Sequence, residues 1–246
     1  MADINEHTAK PAYRRVLLKL SGEDLQGERT SGISGVALTR TAHRLKEVLA
    51  TGVQVAIVVG GGNFVRGRDR AELGVEAVTA DYMGMLGTSI NALALQDAME
   101  KAGCVTRLMT GFRMPEIGEQ FIRRRAIRHL EKGRAVIFAA GFGKPMFTTD
   151  TAAAHRAVEI DAEVLIKATH VDGVYSADPA RDPGARFLPS LTYTEVVEQR
   201  LKVMDLTAIT FCQDQGLPII IFNHTVEGNM LKVICGDKSI GSTVTC

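Results

Sequence analysis

A chain of 246 residues, 46% hydrophobic and 23% charged, has the composition of an ordinary soluble globular protein, long enough for one large α/β domain or two small ones. Its formal net charge of +1 leaves no bulk electrostatic footprint for nucleic acid or an anionic membrane surface. Cys104, Cys212, Cys235 and Cys246 are scattered with no Cys-x-x-Cys pair, against a zinc ribbon or redox dithiol; without an apolar run of membrane-span or signal length either, reduced thiols and a cytoplasmic location are expected.

In chain order, the first apolar run, 16–20, contains Lys19 and ends in Ser21-Gly22. An ammonium inside a strand is costly to bury without a partner, so Lys19 is expected at the strand's carboxyl end, facing an anion. A helical face follows through Leu38, Ala42, Leu45, Val48 and Leu49, then a strand at 53–59. That strand runs into Gly60-Gly61-Gly62-Asn63 and on to Arg66-Gly67. Consecutive glycines after a buried strand offer backbone N–H groups to an anion, and an arginine adds a charge-assisted fork. A tight strand-to-helix turn would explain the glycines equally well.

The stretch 81–101 is apolar most of the way round, with Met83, Met85, Leu86, Ile90, Leu93, Leu95 and Met99, which predicts a helix buried in the core or, preferably, against a partner subunit. A strand at 105–109 precedes the basic run Arg123-Arg124-Arg125-Ala126-Ile127-Arg128 on a helix over 121–130, best read as a solvated face. After a strand at 135–139 comes a second glycine loop, Gly141 to Asp150, in which Thr148, Thr149 and Asp150 sit where helix caps belong. Together with glycines and Lys144, the same residues suit a phosphate.

A helix over 151–160 and a strand over 164–167 lead to Lys167-Ala168-Thr169 and a turn-rich excursion, 171–191, marked by Asp172-Gly173, Asp178-Pro179 and Asp182-Pro183-Gly184. Its aromatic and carboxylate groups could hold a base and ribose hydroxyls. Asp205 caps a helix over 206–215, with a catalytic role equally open, and a strand follows at 219–222. Strands alternating with helices predict an α/β fold around a mostly parallel sheet. No Gly-x-x-x-x-Gly-Lys-[Ser/Thr] loop or Gly-x-Ser-x-Gly elbow is present, and His43, His155, His170 and His224 share no metal-ligand spacing, so no side-chain metal site is expected.

Six ordered motifs, Lys19-Leu20-Ser21-Gly22, Gly60-Gly61-Gly62-Asn63 with Arg66-Gly67, Asp81-Tyr82-Met83-Gly84-Met85, Thr148-Thr149-Asp150, Lys167-Ala168-Thr169 with Val171-Asp172-Gly173-Val174-Tyr175 and Asp178-Pro179, and Lys202-Val203-Met204-Asp205, resemble the bacterial uridylate kinases of the amino acid kinase family. The resemblance runs from Tyr13 onward, so residues 1–12 are expected to be a flexible tail and 13–246 a single domain. It implies a three-layer α/β/α sandwich, a homohexamer, and reversible γ-phosphoryl transfer from ATP to UMP with Mg²⁺ carried by the nucleotide phosphates. Pyrimidine nucleotide biosynthesis is the implied setting, with GTP activation and UTP inhibition as implied regulation.

Residue by residue, the resemblance places Lys19, Ser21, Gly22 and Gly62 on the ATP phosphates with Arg66 beside them, Leu20 and Lys167 also at ATP, and Thr169, Tyr175 and Asp178 toward the adenosine. Gly61, Asp81 and the loop Phe142, Gly143, Lys144, Pro145, Met146, Phe147, Thr148 and Thr149 would hold UMP. Lys19, Arg66, Asp150 and Asp205 would be catalytic, with Asp205 orienting Lys19. The loop departs from the relatives' Thr-Gly-Asn-Pro-Phe-Phe-Thr-Thr at Phe142, Lys144 and Met146, and Thr30-Ser31-Gly32-Ile33 replaces a common Gly-Phe-Gly-Ile. Two rivals make different predictions: a sibling kinase of acyl substrates would line its acceptor site with arginine or amide instead of Asp81, and a non-catalytic nucleotide-binding regulator would bind ATP and UMP without forming UDP.

Overall fold

The computed structural model describes residues 10–65 and 74–246. Strand β1 (Arg15–Leu20) is followed by the short helix α1 (Gly22–Gln26) and by α2 (Gly35–Ala50). Then come β2 (Gln54–Val59), the long α3 (Ala77–Lys101), β3 (Thr106–Thr110), β4 (Glu119–Gln120), α4 (Arg123–Glu131) and β5 (Ala135–Ala139). Helix α5 (Thr149–Glu159) and β6 (Val164–Thr169) precede the hairpin β7 (Val174–Tyr175) and β8 (Phe187–Leu188). The chain continues through β9 (Ser190–Thr192), α6 (Tyr193–Glu198), α7 (Leu206–Gln215), β10 (Ile219–Asn223), α8 (Asn229–Ile234) and β11 (Ser242–Thr245).

Nine strands form one sheet in the order β4-β3-β5-β2-β1-β6-β10-β11-β9. All neighbours are parallel except β10 and β11, so β11 and β9 run against the rest. The central strands are near-continuous apolar runs because helices cover both faces. Val16, Leu18 and Leu20 of β1 pack with Leu45 of α2, Leu95 of α3 and Val233 of α8. Leu17 packs on the opposite face with Leu130 of α4, Ala154 of α5 and Ile209 of α7. The period-2 alternation of β1 therefore separates two cores, and it sends Lys19 to the face of Leu17 and α5.

The main strands and long helices lie where periodicity places them, within a few residues at their ends. The short elements α1, β4, α6, α8, β9 and β11 carry too few residues for a period to register. The excursion 171–191 does contain an antiparallel hairpin, Val174 opposite Leu188 and Tyr175 opposite Phe187, but β9 leaves it to join the main sheet beside β11. The basic run forms the outer face of α4, where Arg123 pairs with Asp161, Arg125 with Glu119 and Arg128 with Glu131. Of the expected tail, residue 12 is tied down, its N–H donating to Ile234 O at 2.9 Å.

Helix α3 buries Met85, Ala92, Leu95 and Met99, yet leaves Val78, Tyr82, Leu86, Ile90 and Leu93 exposed along one stripe. Its buried polar residues organise the glycine turn. Asn91, wholly buried, donates to Gly60 O at 2.7 Å and exchanges amide hydrogen bonds with Asn63 at 2.7 and 2.9 Å, while Asn63 also donates to Gly32 O at 2.8 Å. Gly61 lies so close to α3 that a Cβ there would stand 2.6 Å from Gly84 O, which accounts for glycine at that place.

Asn91→Leu would strand the buried Asn63 amide and Gly60 carbonyl, at a cost of about 2 kcal/mol or more. Urea unfolding should show the lowered midpoint, and an unchanged midpoint would remove this account of the turn.

Candidate active site

Lys19 and Lys167 are register partners on the adjacent parallel strands β1 and β6. Both point to the α5 face at the carboxyl end of the sheet, so two ammonium groups are brought side by side. Asp150, in the first turn of α5, lies between them: Oδ1 is 3.0 Å from Lys19 Nζ, and Oδ2 accepts from Lys167 Nζ at 2.8 Å. Lys167 also donates to Val203 O at 2.7 Å. All three side chains are at most 16% exposed.

Burial alone would raise the Asp150 pKa, but the two lysines more than offset it and hold the carboxyl below its ordinary value. Burial pushes Lys167 down, assisted by Lys19 and opposed by Asp150. Two ammonium groups share one directly bound carboxylate, with Asp205 the next anion acting on Lys167, so both retain N–H donors for an anionic ligand.

The expected partnership of Asp205 with Lys19 is corrected by this geometry: Asp150 pairs with Lys19, whereas Asp205 serves the helix termini. It N-caps α7 through Ala208 N–H at 3.0 Å, and it accepts hydroxyl hydrogen bonds from Thr151, at 3.0 Å to Oδ1, and from Thr148. Thr148 in turn N-caps α5, accepting from the N–H groups of Asp150 and Thr151 at 3.1 and 3.2 Å. Asp205 therefore holds Asp150 at second hand, by fixing the turn that carries it. Thr151 and the Val203 carbonyl went unread as site groups, since one looks like an ordinary helix residue and the other is backbone.

A cavity of about 390 Å³ opens on one side of the cluster, lined by Lys167, Thr169, Val174, Tyr175, Asp178 and Lys202 among others. The three residues expected at the adenosine, Thr169, Tyr175 and Asp178, border it together with Lys167. Tyr175 is braced edge-on by Phe187 at 5.5 Å between centroids. Gln199, Arg200 and Leu201, also on its wall, carried no sequence signal because they belong to a loop beyond α6.

A second cavity of about 350 Å³ is bounded by Gly61, Gly62, Asp81, Thr88, Lys144, Phe147, Thr148 and Thr149, with others. Phe142, Gly143, Pro145 and Met146 do not line it. Phe142 packs instead on Phe147 and His155, 5.1 and 4.9 Å away between centroids. Asp81 Oδ2 accepts from Met146 N–H at 2.8 Å, which closes the loop over α3. Ala140, with φ 59°, and Met146, with φ 68°, hold left-handed backbone conformations at either end of that loop, a local strain of the kind concentrated at ligand clamps.

The turn Ser21-Gly22 is set by a capping box: Ser21 N–H donates to Asp24 Oδ2 at 2.7 Å, and Ser21 Oγ accepts from Glu23 N–H at 3.2 Å. Leu20 is buried in the core of the sheet. Arg66 and Gly67 lie outside the described residues.

The sequence model of the amino acid kinase family matches residues 14–223. The chain belongs to that family. Its place within it is beside the uridylate kinases: the uridylate kinase of Methylococcus capsulatus is 52% identical over 95% of this chain and 97% of its own length. Among solved structures, the UMP kinase of Bacillus anthracis superposes with a TM-score of 0.91 at 35% identity, covering 95% of this chain and 96% of that one. The UMP kinase of Ureaplasma parvum gives 0.89 at 32% over 95% and 99%, and the uridylate kinase of Archaeoglobus fulgidus 0.72 at 28% over 94% and 99%. The α/β amino acid kinase fold expected from the motifs is the fold observed.

The depressed Asp150 pKa fixes the sign of a pH effect. A carboxylate whose folded pKa lies below its unfolded one contributes stability that is present above the unfolded value and lost as pH falls through the folded one. Stability of the chain should therefore fall below about pH 4. Asp150→Asn should be less stable at neutral pH and flatter across that acid window; an unchanged acid slope in urea titrations would show that Asp150 is not the group responsible.

Proposed function

We propose that this chain transfers the γ-phosphoryl group of ATP to UMP, reversibly, giving ADP and UDP in pyrimidine nucleotide synthesis. The observation that carries the reading is the Lys19-Asp150-Lys167 cluster standing between two cavities. Lys167 lines the first, and Asp150 directly follows Thr148 and Thr149 of the second. ATP would lie with its adenosine against Tyr175 and Asp178 and its phosphates along Leu20, Ser21, Gly22 and Gly62. UMP would occupy the space between Asp81 and the loop 142–149.

An oxygen of the UMP phosphate would attack the γ-phosphorus as the bond to the β,γ-bridging oxygen of ATP breaks. That nucleophile is already ionised near neutral pH, so no side chain needs to remove a proton. Asp150, bound to two ammonium groups and held ionised, is suited to positioning them and not to acting as a base. Lys19, with Arg66 added from outside the described residues, would neutralise charge on the transferring group. Asp150 and Asp205 have oxygens occupied by Lys19, Lys167, Thr148 and Thr151, which suits a Mg²⁺ carried by phosphate oxygens and water. When bound, the ion would supply further charge neutralisation of the phosphates.

Self-association into a homohexamer is part of the same reading, supported by the exposed apolar stripe of α3. GTP activation, UTP inhibition, a cytoplasmic setting and a single domain over 13–246 complete it. No helix among the described residues is long and apolar enough to cross a membrane.

ADP release from ATP and Mg²⁺ should require UMP when UMP, CMP, dTMP and N-acetylglutamate are offered in parallel; turnover with N-acetylglutamate alone would assign a sibling acyl kinase. Lys19→Ala should lose about 10²-fold or more in turnover while keeping its circular dichroism, and wild-type turnover in that variant would overturn the proposed chemistry. Leu86→Asp combined with Ile90→Asp should yield a smaller species by light scattering, and an unchanged mass would place the subunit contact elsewhere.

A further inference from the structure

Asp24, His170 and His224 arrive from three separate segments: α1, the residue after β6 and the residue after β10. The strand ends that carry the two histidines are joined, His224 N–H donating to Thr169 O at 3.0 Å. Asp24 is 1% exposed, and its Oδ2 is spent on Ser21 N–H at 2.7 Å. That leaves Oδ1, with His170 Nε2 and His224 Nε2 each 2.9 Å away. His170 is aligned for a hydrogen bond. His224 is not: its side chain is only 8% exposed, yet Nε2 has no directed hydrogen-bond partner despite that short distance. A buried ring nitrogen without a directed partner calls for an explanation.

A metal ion supplies one. Donor atoms bound at about 2.1 Å stand about 3.4 Å apart in a tetrahedral site and about 3 Å apart at right angles, and each points at the ion instead of at its neighbour. The closeness of His224 to Asp24 and the misdirection of its ring suit that arrangement, and the three donor atoms lie within 4.8 Å of one another, so a small rotation of the half-exposed His170 brings all three onto one ion. Two imidazoles and a carboxylate select zinc-like divalent ions over Mg²⁺, which prefers oxygen alone. His170, half exposed, provides the way in and room for water ligands.

We propose that Asp24 Oδ1, His170 Nε2 and His224 Nε2 form a binding site for a divalent transition-metal ion of the Zn²⁺ class, separate from any ion carried by nucleotide phosphates. Bound there, the ion would tie the Ser21-Gly22 turn to the carboxyl ends of β6 and β10. The three residues share no regular spacing, because only the fold brings them together.

The untagged, chelator-treated chain titrated with Zn²⁺, and separately with Co²⁺, tests this. One saturating equivalent is expected, with a Co²⁺ spectrum that lacks thiolate charge transfer, since the four free cysteines are the competing ligands. His170→Ala should weaken binding by more than about 100-fold and abolish the rise in melting temperature that Zn²⁺ gives the wild type, each variant being compared with its own metal-free melting. Absence of saturable binding, a thiolate band, or equal affinity in His170→Ala would overturn the proposal. Should His224→Ala fail to fold, the exposed His170 still decides it.

Discussion

Two lysines on neighbouring strands, pointing to one side of a sheet, repel each other unless something stands between them. Here that something is the first turn of α5, which delivers Asp150 to both Nζ atoms. Much else in the molecule bears on that delivery. Thr148 starts the helix at the required place, Asp205 secures Thr148 and Thr151, and the Val203 carbonyl accepts the remaining reach of Lys167. Since one carboxylate serves two ammonium groups, the arrangement is complete as a fold and leaves N–H donors to spare. A polyphosphate of the kind proposed would take those donors without disturbing the fold.

The glycine turn after β2 shows a comparable division of labour. Its glycines let the chain approach α3 closely, and Asn63 with Asn91 absorbs the polar backbone left by that approach. The polar residues that interrupt an otherwise apolar α3 are there for the turn. Thr88 likewise donates to Met85 O at 2.7 Å and accepts from Ala140 N–H at 2.8 Å, anchoring the start of the second glycine loop. One helix thus registers both loops against each other, which is why its inner face is polar at the very places where its outer face is apolar.

Much of this was legible in the residues. Lys19 inside an apolar run announced a buried charge, and the glycines, threonines and Asp150 announced loops at the sheet's carboxyl end. The partnerships were less legible, because they depend on register: nothing local in the sequence says that Lys19 stands opposite Lys167, or that Asp150 and not Asp205 reaches both. Phe142 and Met146 looked like ligand-facing residues by position in a loop, but aromatic packing on His155 claims the first, and the second stands at a left-handed turn. Asn91 signalled itself only as an amide in an apolar helix, a signal that tells of burial before it tells of a partner.

The antiparallel edge has a consequence for how the chain matures. β11 inserts between β10 and β9, and Ser242 Oγ accepts from Val174 N–H at 2.8 Å, beside the first cavity. β9 precedes β11 in the chain by α6, α7, β10 and α8, so during synthesis it waits without its sheet neighbour until all of these have left the ribosome. The hairpin of β7 and β8 waits with it. The parallel half of the sheet can assemble as it emerges, while β9 and the hairpin gain β11 and Ser242 only at the close of synthesis, so nascent chains halted before that point would present a formed core beside an unsupported hairpin.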